Sequence, residues 1–244
     1  MSHAIKEGQK GRLDAVFLYG GILDAYEAVG MELIGPNVVE DYVFPKMVYY
    51  VREFLPGIFN KSAPDPERLV SDLRSWLDDF KLKISRAREL KKSVMFSLEE
   101  IWQLRAAIFG YESVFIDILG ETAIKTYVFS RIADILSSYL PDVFLGEEKT
   151  LEEKLNAYLD YIREKRFVQY TSVRIKGNSV RIAANKCYFA DIHKSEAYQK
   201  SNVRFCPWGM IGSAIITSHK GDRATIESCQ FTTRGSISKI VTEK

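Results

Sequence analysis

The chain of 244 residues has only three cysteines and three histidines. Three cysteines do not make a disulfide framework at this length, and an odd count fits a reducing cytoplasm, the expected location. No apolar stretch approaches the roughly 20 residues a membrane-spanning helix needs. The opening MSHAIKEGQKG also lacks the apolar middle of a secretory signal. Neither sign of charge dominates: 34 Lys and Arg against 32 Asp and Glu leave +2. That is too little for a general polyanion-binding field, so no nucleic-acid partner is expected. The short basic runs Lys81-Leu-Lys83 and Arg86-Ala-Arg88 lie among Asp78, Asp79 and Glu89 and read as a solvated helix face. Also missing are a Gly-x-Ser-x-Gly elbow, a phosphate-cradling glycine loop and a His-Glu-x-x-His pair. Nothing in the sequence therefore compels a catalytic reading.

What the sequence does have is a repeat. Residues 14–59 align without a gap on residues 99–144 at a constant offset of 85. Identical pairs include Tyr26/Tyr111, Glu27/Glu112, Gly35/Gly120, Tyr42/Tyr127, Val43/Val128, Phe44/Phe129, Leu55/Leu140 and Pro56/Pro141. Conservative pairs include Glu32/Asp117 and Lys46/Arg131. After a three-residue slip, LRSWLDDFK (73–81) matches LNAYLDYIR (155–163).

The shared unit reads as three helices. The first is amphipathic and ends near Gly35 or Gly120, where a glycine relieves a left-handed turn. The second carries the Tyr-Val-Phe triplet and stops at Leu-Pro. The third begins after Ala63-Pro-Asp-Pro66 in copy one; in copy two, Thr150 and Glu153 have capping-box spacing. Copy one then continues as a charged connector helix (81–92). Copy two changes period: β-branched residues on either side of Lys176-Gly-Asn-Ser179 predict a β-hairpin. A polar stretch (191–202) follows. Cys206-Pro-Trp-Gly209 opens an apolar helix, and RATIESCQF (223–231) with SISKIV (236–241) predicts a second hairpin around Arg234-Gly-Ser236. The expected fold is thus α+β: a duplicated three-helix unit whose second copy runs into a four-stranded antiparallel sheet of two hairpins with a helix between them. The expected division is an N-terminal helical repeat (1–95) and an α/β domain (96–244). Copy one has no hairpins of its own, so it is expected to pack on copy two as a partner subunit would.

The order of elements in copy two, with LGETA (119–123), TLEEKLNAYLDYIRE (150–164), Cys206-Pro-Trp, the Gly209/Gly212 helix, Glu227-Ser-Cys229 and Gly235, resembles the 4-vinyl-reductase-type, or hydrocarbon-binding, domain family. The resemblance covers about residues 99–244. It implies an antiparallel sheet with helices packed on it, related to vesicle-tethering TRAPP subunits and more distantly to haem nitric-oxide sensors. Members that bind zinc take ligands from a Cys before the last helix, a Glu and a Cys near the end of the next strand, and a final Cys. The resemblance maps these roles onto Cys206, Glu227 and Cys229, with Glu227 one residue closer to Cys229 than in the family. The final Cys is absent, since Ser236-Ile-Ser238-Lys239 fills that hairpin. A structural zinc wants four ligands, so Cys187, His193 or His219 would have to complete the set. Otherwise Cys206 and Cys229 are small buried hydrophobes.

Other residues carry two readings each. Glu27 and Glu112 face solvent or close a local hydrogen bond, or form a paired carboxylate site. Tyr42, Phe44, Tyr49, Tyr50 and Phe54 in copy one, with Tyr127, Phe129 and Tyr139 in copy two, are core or inter-copy packing. Alternatively they line an apolar pocket, which would assign Phe129, Tyr127, Tyr139 and Trp208 to a ligand; the resemblance puts Trp208 on that pocket's far wall. The functional expectation is a non-catalytic protein that binds or senses a small hydrophobic ligand and acts through a separate partner, as a homodimer or in a heteromeric assembly. The alternative is an interaction scaffold like the tethering subunits. An accessory enzyme of tetrapyrrole metabolism, which the family's name implies, comes third.

Overall fold

The structure is a computed structural model of the chain, and it describes residues 10–11, 13–52, 54–55, 59, 65–89, 96–140, 142–191, 205–221 and 223–243. Copy one consists of β1 (Lys10–Gly11), α1 (Leu13–Leu33), α2 (Pro36–Val38), a π-helical turn (Val39–Val43), α3 (Phe44–Val51) and α4 (Pro66–Glu89). Copy two starts with β2 (Phe96–Ser97), α5 (Leu98–Ala123), a second π-helical turn (Ile124–Val128) and α6 (Phe129–Ser137). It continues through α7 (Asp142–Leu145), α8 (Leu151–Glu164), β3 (Tyr170–Lys176), β4 (Ser179–Asn185), α9 (Pro207–Lys220), β5 (Arg223–Thr232) and β6 (Gly235–Glu243).

The sequence offset of 85 is also a structural one: the two π-helical turns correspond residue for residue. Gly35 (φ 90°, ψ 155°) and Gly120 (φ 76°, ψ 161°) share one backbone conformation. The positive φ is as expected, but ψ is extended rather than left-handed helical. These glycines therefore break one helix and launch the next, in a region essentially closed to residues with a Cβ.

The copies are related by a pseudo-twofold axis. Gly11 of β1 pairs with Phe96 of β2, its own repeat mate. Tyr26 stacks on its mate Tyr111, ring centroids 6.2 Å apart. Off the axis, contacts occur in reciprocal pairs: Lys46–Asp117 at 4.0 Å answers Arg131–Glu32 at 3.0 Å. Likewise α1 packs on α6 while α5 packs on α3. This reciprocity is how an isologous dimer interface is built.

It also corrects the amphipathic reading of the first helices. Every residue of α5 from 104 to 116 is buried, and α1 is enclosed on nearly all sides from Leu18 to Tyr26. A helix buried all round is the axis of a core, not its lid. The second correction concerns α4. The third helix and the expected connector are one helix, Pro66–Glu89, and residues 90–95 lie outside the described residues. The three-residue slip does mark equivalent faces: Leu73, Leu77 and Phe80 are buried, as are Leu155, Leu159 and Ile162.

The sheet is antiparallel with strand order β3-β4-β6-β5. Gly177 and Asn178 form the two-residue turn of the first hairpin, Gly177 at φ 60°. Cys206 is the N-cap of α9 and Pro207 its first residue; Gly221 ends it in the left-handed conformation. Helix α9 covers one face of the sheet, with Gly209 against Ser238 and Gly212 against Ile182 and Ile240. One continuous hydrophobic cluster joins Leu18 to Ile84 of copy one with Ile101 to Ile240 of copy two. No helix of the described residues is long and apolar enough to cross a membrane.

Candidate functional site

The first copy carries a surface hollow of about 390 Å³ lined by Asp41, Tyr42, Pro45, Lys46 and Tyr49. Their spacing puts them on one stripe running from the π-helical turn into α3. The hollow is open: Tyr42 is 44% and Tyr49 59% exposed. Tyr49 meets Tyr50 edge-on at 5.3 Å, and the Tyr50 hydroxyl donates to Asp117 Oδ2 at 2.6 Å. Burial, and then the Asp117 carboxylate, raise the Tyr50 phenol well above its ordinary pKa, so it stays protonated and donating. Lys46 stands over the Tyr42 ring at 5.7 Å and reaches the same Asp117. The floor of the hollow is thus tied to α5 of the other copy.

Copy two supplies an internal comparison. The mates of Asp41, Tyr42, Pro45, Lys46 and Tyr49 are Thr126, Tyr127, Ser130, Arg131 and Asp134. Tyr127 is likewise exposed, at 63%, and Arg131 is likewise paired. Pro45 and Tyr49, however, are replaced by Ser130, whose hydroxyl donates to the Thr126 and Tyr127 carbonyls, and by Asp134. At these two positions the stripe is apolar or aromatic in copy one and polar in copy two, while Lys46 and Arg131 keep the charge in both.

A second cluster lies at the centre of the molecule, around Arg105 on α5. Arg105 and Glu112, both 1% exposed, are ion-paired at 3.4 Å. Burial pushes the Glu112 carboxyl up to about 7 against the pull of Arg105. Tyr19, Tyr158 and Trp208 are also buried here, with Tyr19 edge-on to Trp208 at 5.2 Å. The Tyr158 hydroxyl donates to the Trp208 carbonyl at 2.9 Å, whereas among the described residues the Tyr19 hydroxyl and Glu112 Oε1 meet no hydrogen-bond partner. Glu27, the mate of Glu112, behaves differently. It is half-buried, ion-paired with Lys81, and accepts from the Tyr111 hydroxyl at 3.1 Å. Neither glutamate simply faces solvent, and they hold separate partners.

The residues expected to line a ligand pocket do not converge. Phe129 is buried against Phe205, centroids 4.0 Å apart, and Trp208 belongs to the central cluster. Tyr127 is on the surface, and the Tyr139 hydroxyl donates to Asp24 Oδ2 at 3.2 Å. Tyr42 and Tyr49, read as core or packing residues, face outward.

The three cysteines do approach one another. Cys206 lies near enough to raise the pKa of both Cys187 and Cys229, though burial is the larger cause; Cys187 reaches about 11. The Trp208 indole N–H donates to Cys187 Sγ at 3.4 Å, Cys229 Sγ meets Ser238 Oγ at 3.4 Å, and Ser236 bonds Cys206. Glu227 instead turns to Lys239, its side chain 47% exposed. Among the described residues no three His, Cys, Asp or Glu side chains are grouped to hold a metal. Among the described residues serine hydroxyls serve two of the thiols and the Trp208 indole the third. His219 lies on α9, and His193 is outside the described residues.

No protein-family model, curated protein or solved structure matches the chain. Sequence reasoning passed over Arg105, Tyr19, Asp41 and Pro45. A signal for Pro45 existed, since Pro45/Ser130 and Tyr49/Asp134 are among the least conservative pairs of the repeat.

Proposed function

We propose that this chain is a non-catalytic binding protein of a reducing compartment whose recognition surface is the hollow of copy one. The occupant is an aromatic or aliphatic side chain presented by a partner protein. One observation carries this reading: on the stripe that lines the hollow, copy one has Pro45 and Tyr49 where the repeat mates are the polar Ser130 and Asp134. Tyrosines are among the side chains that most often anchor interfaces. Small-molecule sites by contrast enclose most of their ligand, and the exposed rims of Tyr42 and Tyr49 leave too much open for that.

Aromatic-region NMR with p-cresol and indole as side-chain probes tests it. The expected result is selective shifts of the Tyr42 and Tyr49 signals, abolished in a Pro45→Ser/Tyr49→Asp variant. Those substitutions copy residues that the other half already carries at equivalent positions. Absence of any probe-induced shift would overturn the proposal.

A second reading has its own support. Among the described residues the buried Tyr19 hydroxyl and Glu112 Oε1 have no hydrogen-bond partner, and the polar end of a small hydrophobic ligand would satisfy either one. Under that reading the chain is a sensor acting through a separate partner, and the probes shift Tyr19 and Trp208 instead.

A further inference from the structure

The total charge of +2 hides a segregation. Residues 165–191 and 223–243, which hold the sheet and its turns, contain nine Lys and Arg against three Asp and Glu, so the rest of the chain is net acidic by four. Within the sheet the basic residues are aligned. Strand register places Arg174 of β3 directly opposite Arg181 of β4, and Arg181 directly opposite Lys239 of β6. Residues opposite one another share a face. Strands are about 4.8 Å apart, so the three cations form a line of about 10 Å. Their face is the one α9 does not cover: Ser172, Lys176, Ala183, Ser228 and Gln230 on it are exposed or half-exposed, Gly235 is buried, and Thr225 at the β5 edge donates to the Lys125 carbonyl. Lys239 is paired with Glu227, but among the described residues Arg174 and Arg181 meet no carboxylate. Like charges directly opposite on a sheet oppose its pairing, so this row is a cost that the fold itself does not explain.

We propose that this open sheet face binds single-stranded nucleic acid, with the Arg174–Arg181 pair on the phosphates and Tyr170 stacking on a base. Two guanidiniums side by side suit phosphate oxygens, which they engage by paired N–H donors. Tyr170, on the same face and 59% exposed, presents a ring with Lys186 at 5.0 Å from its centroid. Aromatic platforms beside basic residues are how single strands are held without sequence preference. Asn185, Gln230, Ser172 and Ser228 add hydrogen-bonding groups to the same surface. A flat face offers no helix or ribbon to enter a duplex groove, which favours the single strand. An acidic peptide would satisfy the arginines but leave the Tyr170 ring without a stacking partner.

The test is fluorescence anisotropy of the full chain with a labelled oligothymidylate of about 20 nucleotides, at low and at physiological salt. Binding is expected to weaken as salt rises, by about 0.7 log unit per log unit of salt for each phosphate contacted. Arg174→Gln/Arg181→Gln should weaken it at least about tenfold and flatten the salt dependence. Tyr170→Ala should weaken it at least about fivefold with the salt dependence unchanged. Lys149→Gln/Arg163→Gln removes the same charge from the helical region and should leave binding within about twofold, since sites so placed share no phosphate contact. Absence of binding at low salt overturns the proposal, as does equal loss in the two double variants. Displacement by polyglutamate as effective as by unlabelled oligonucleotide would reassign the face to an acidic protein, and tighter binding of duplex would remove the single-strand assignment. None of these outcomes bears on the hollow, which lies on the other copy.

Discussion

The carboxylate of Glu112 and the guanidinium of Arg105 stand two turns apart on α5, both out of reach of water. Because burial lifts the Glu112 pKa from 4.5 to about 7, the folded protein holds a proton that the unfolded chain releases between those values. The stability this group contributes is complete below about pH 4.5 and is lost as pH rises to about 7. Glu112→Gln cannot titrate, so its urea midpoint should lose that decline. An identical pH slope in wild type and variant would count against the assignment. Arg105→Met leaves the buried Glu112 carboxyl without its partner and should cost about 3 kcal/mol, whereas Arg105→Met/Glu112→Leu should recover most of it, since matched apolar pairs replace buried ion pairs at little cost. Chemical denaturation of the three proteins measures both. None of this was legible in the sequence, where Glu112 is one charge in an apparently ordinary helix. Its depth depends on a second helix, α1, that contacts it only after folding.

Local devices were legible because their partners are close in sequence. Thr150 and Glu153 form the capping box that their spacing announced, the Thr150 side chain accepting from the Glu153 N–H at 3.3 Å and Glu153 from the Thr150 N–H at 2.7 Å. Ser97 and Glu100 do the same for α5 and carry the same pattern in the sequence. Replacing either cap by Ala should lower stability by about 1 kcal/mol in thermal melts. The Gly-Asn turn and the Cys-Pro helix start were likewise read from neighbours. The faces of the helices were not, because which side is buried depends on the other copy. Tyr42 and Tyr49 have helical spacing to core residues, yet point away from them. Gly35 and Gly120 sit between these cases: positive φ follows from the residue, but extended ψ follows from the π-helical turn that comes next. Gly120→Ala should cost about 1–3 kcal/mol, the strain of holding a Cβ in that region, and a melting temperature within a degree or so of wild type would contradict it.

On the scale of the whole molecule, the boundary drawn from the sequence near residue 95 separates two stretches of chain that share one core. Leu18, Tyr19 and Ile22 belong to the same hydrophobic cluster as Trp208 and Ile240. Calorimetry should therefore show a single transition, and two resolved transitions would restore the division. The α+β architecture and the order of hairpin, helix, hairpin were readable from the change of period and the turn residues, but the reciprocal packing of the copies was only inferred from the hairpins that copy one lacks. That packing has a further consequence. Two identical subunits meeting about a twofold axis must find one another at their ambient concentration, and every substitution appears on both sides of the axis at once. Here both halves belong to one chain, so their association is intramolecular and insensitive to dilution. Each half is also free to vary alone. Tyr49 standing where Asp134 stands on the other side, and a sheet grown from only one half, are states that no pair of identical subunits could occupy.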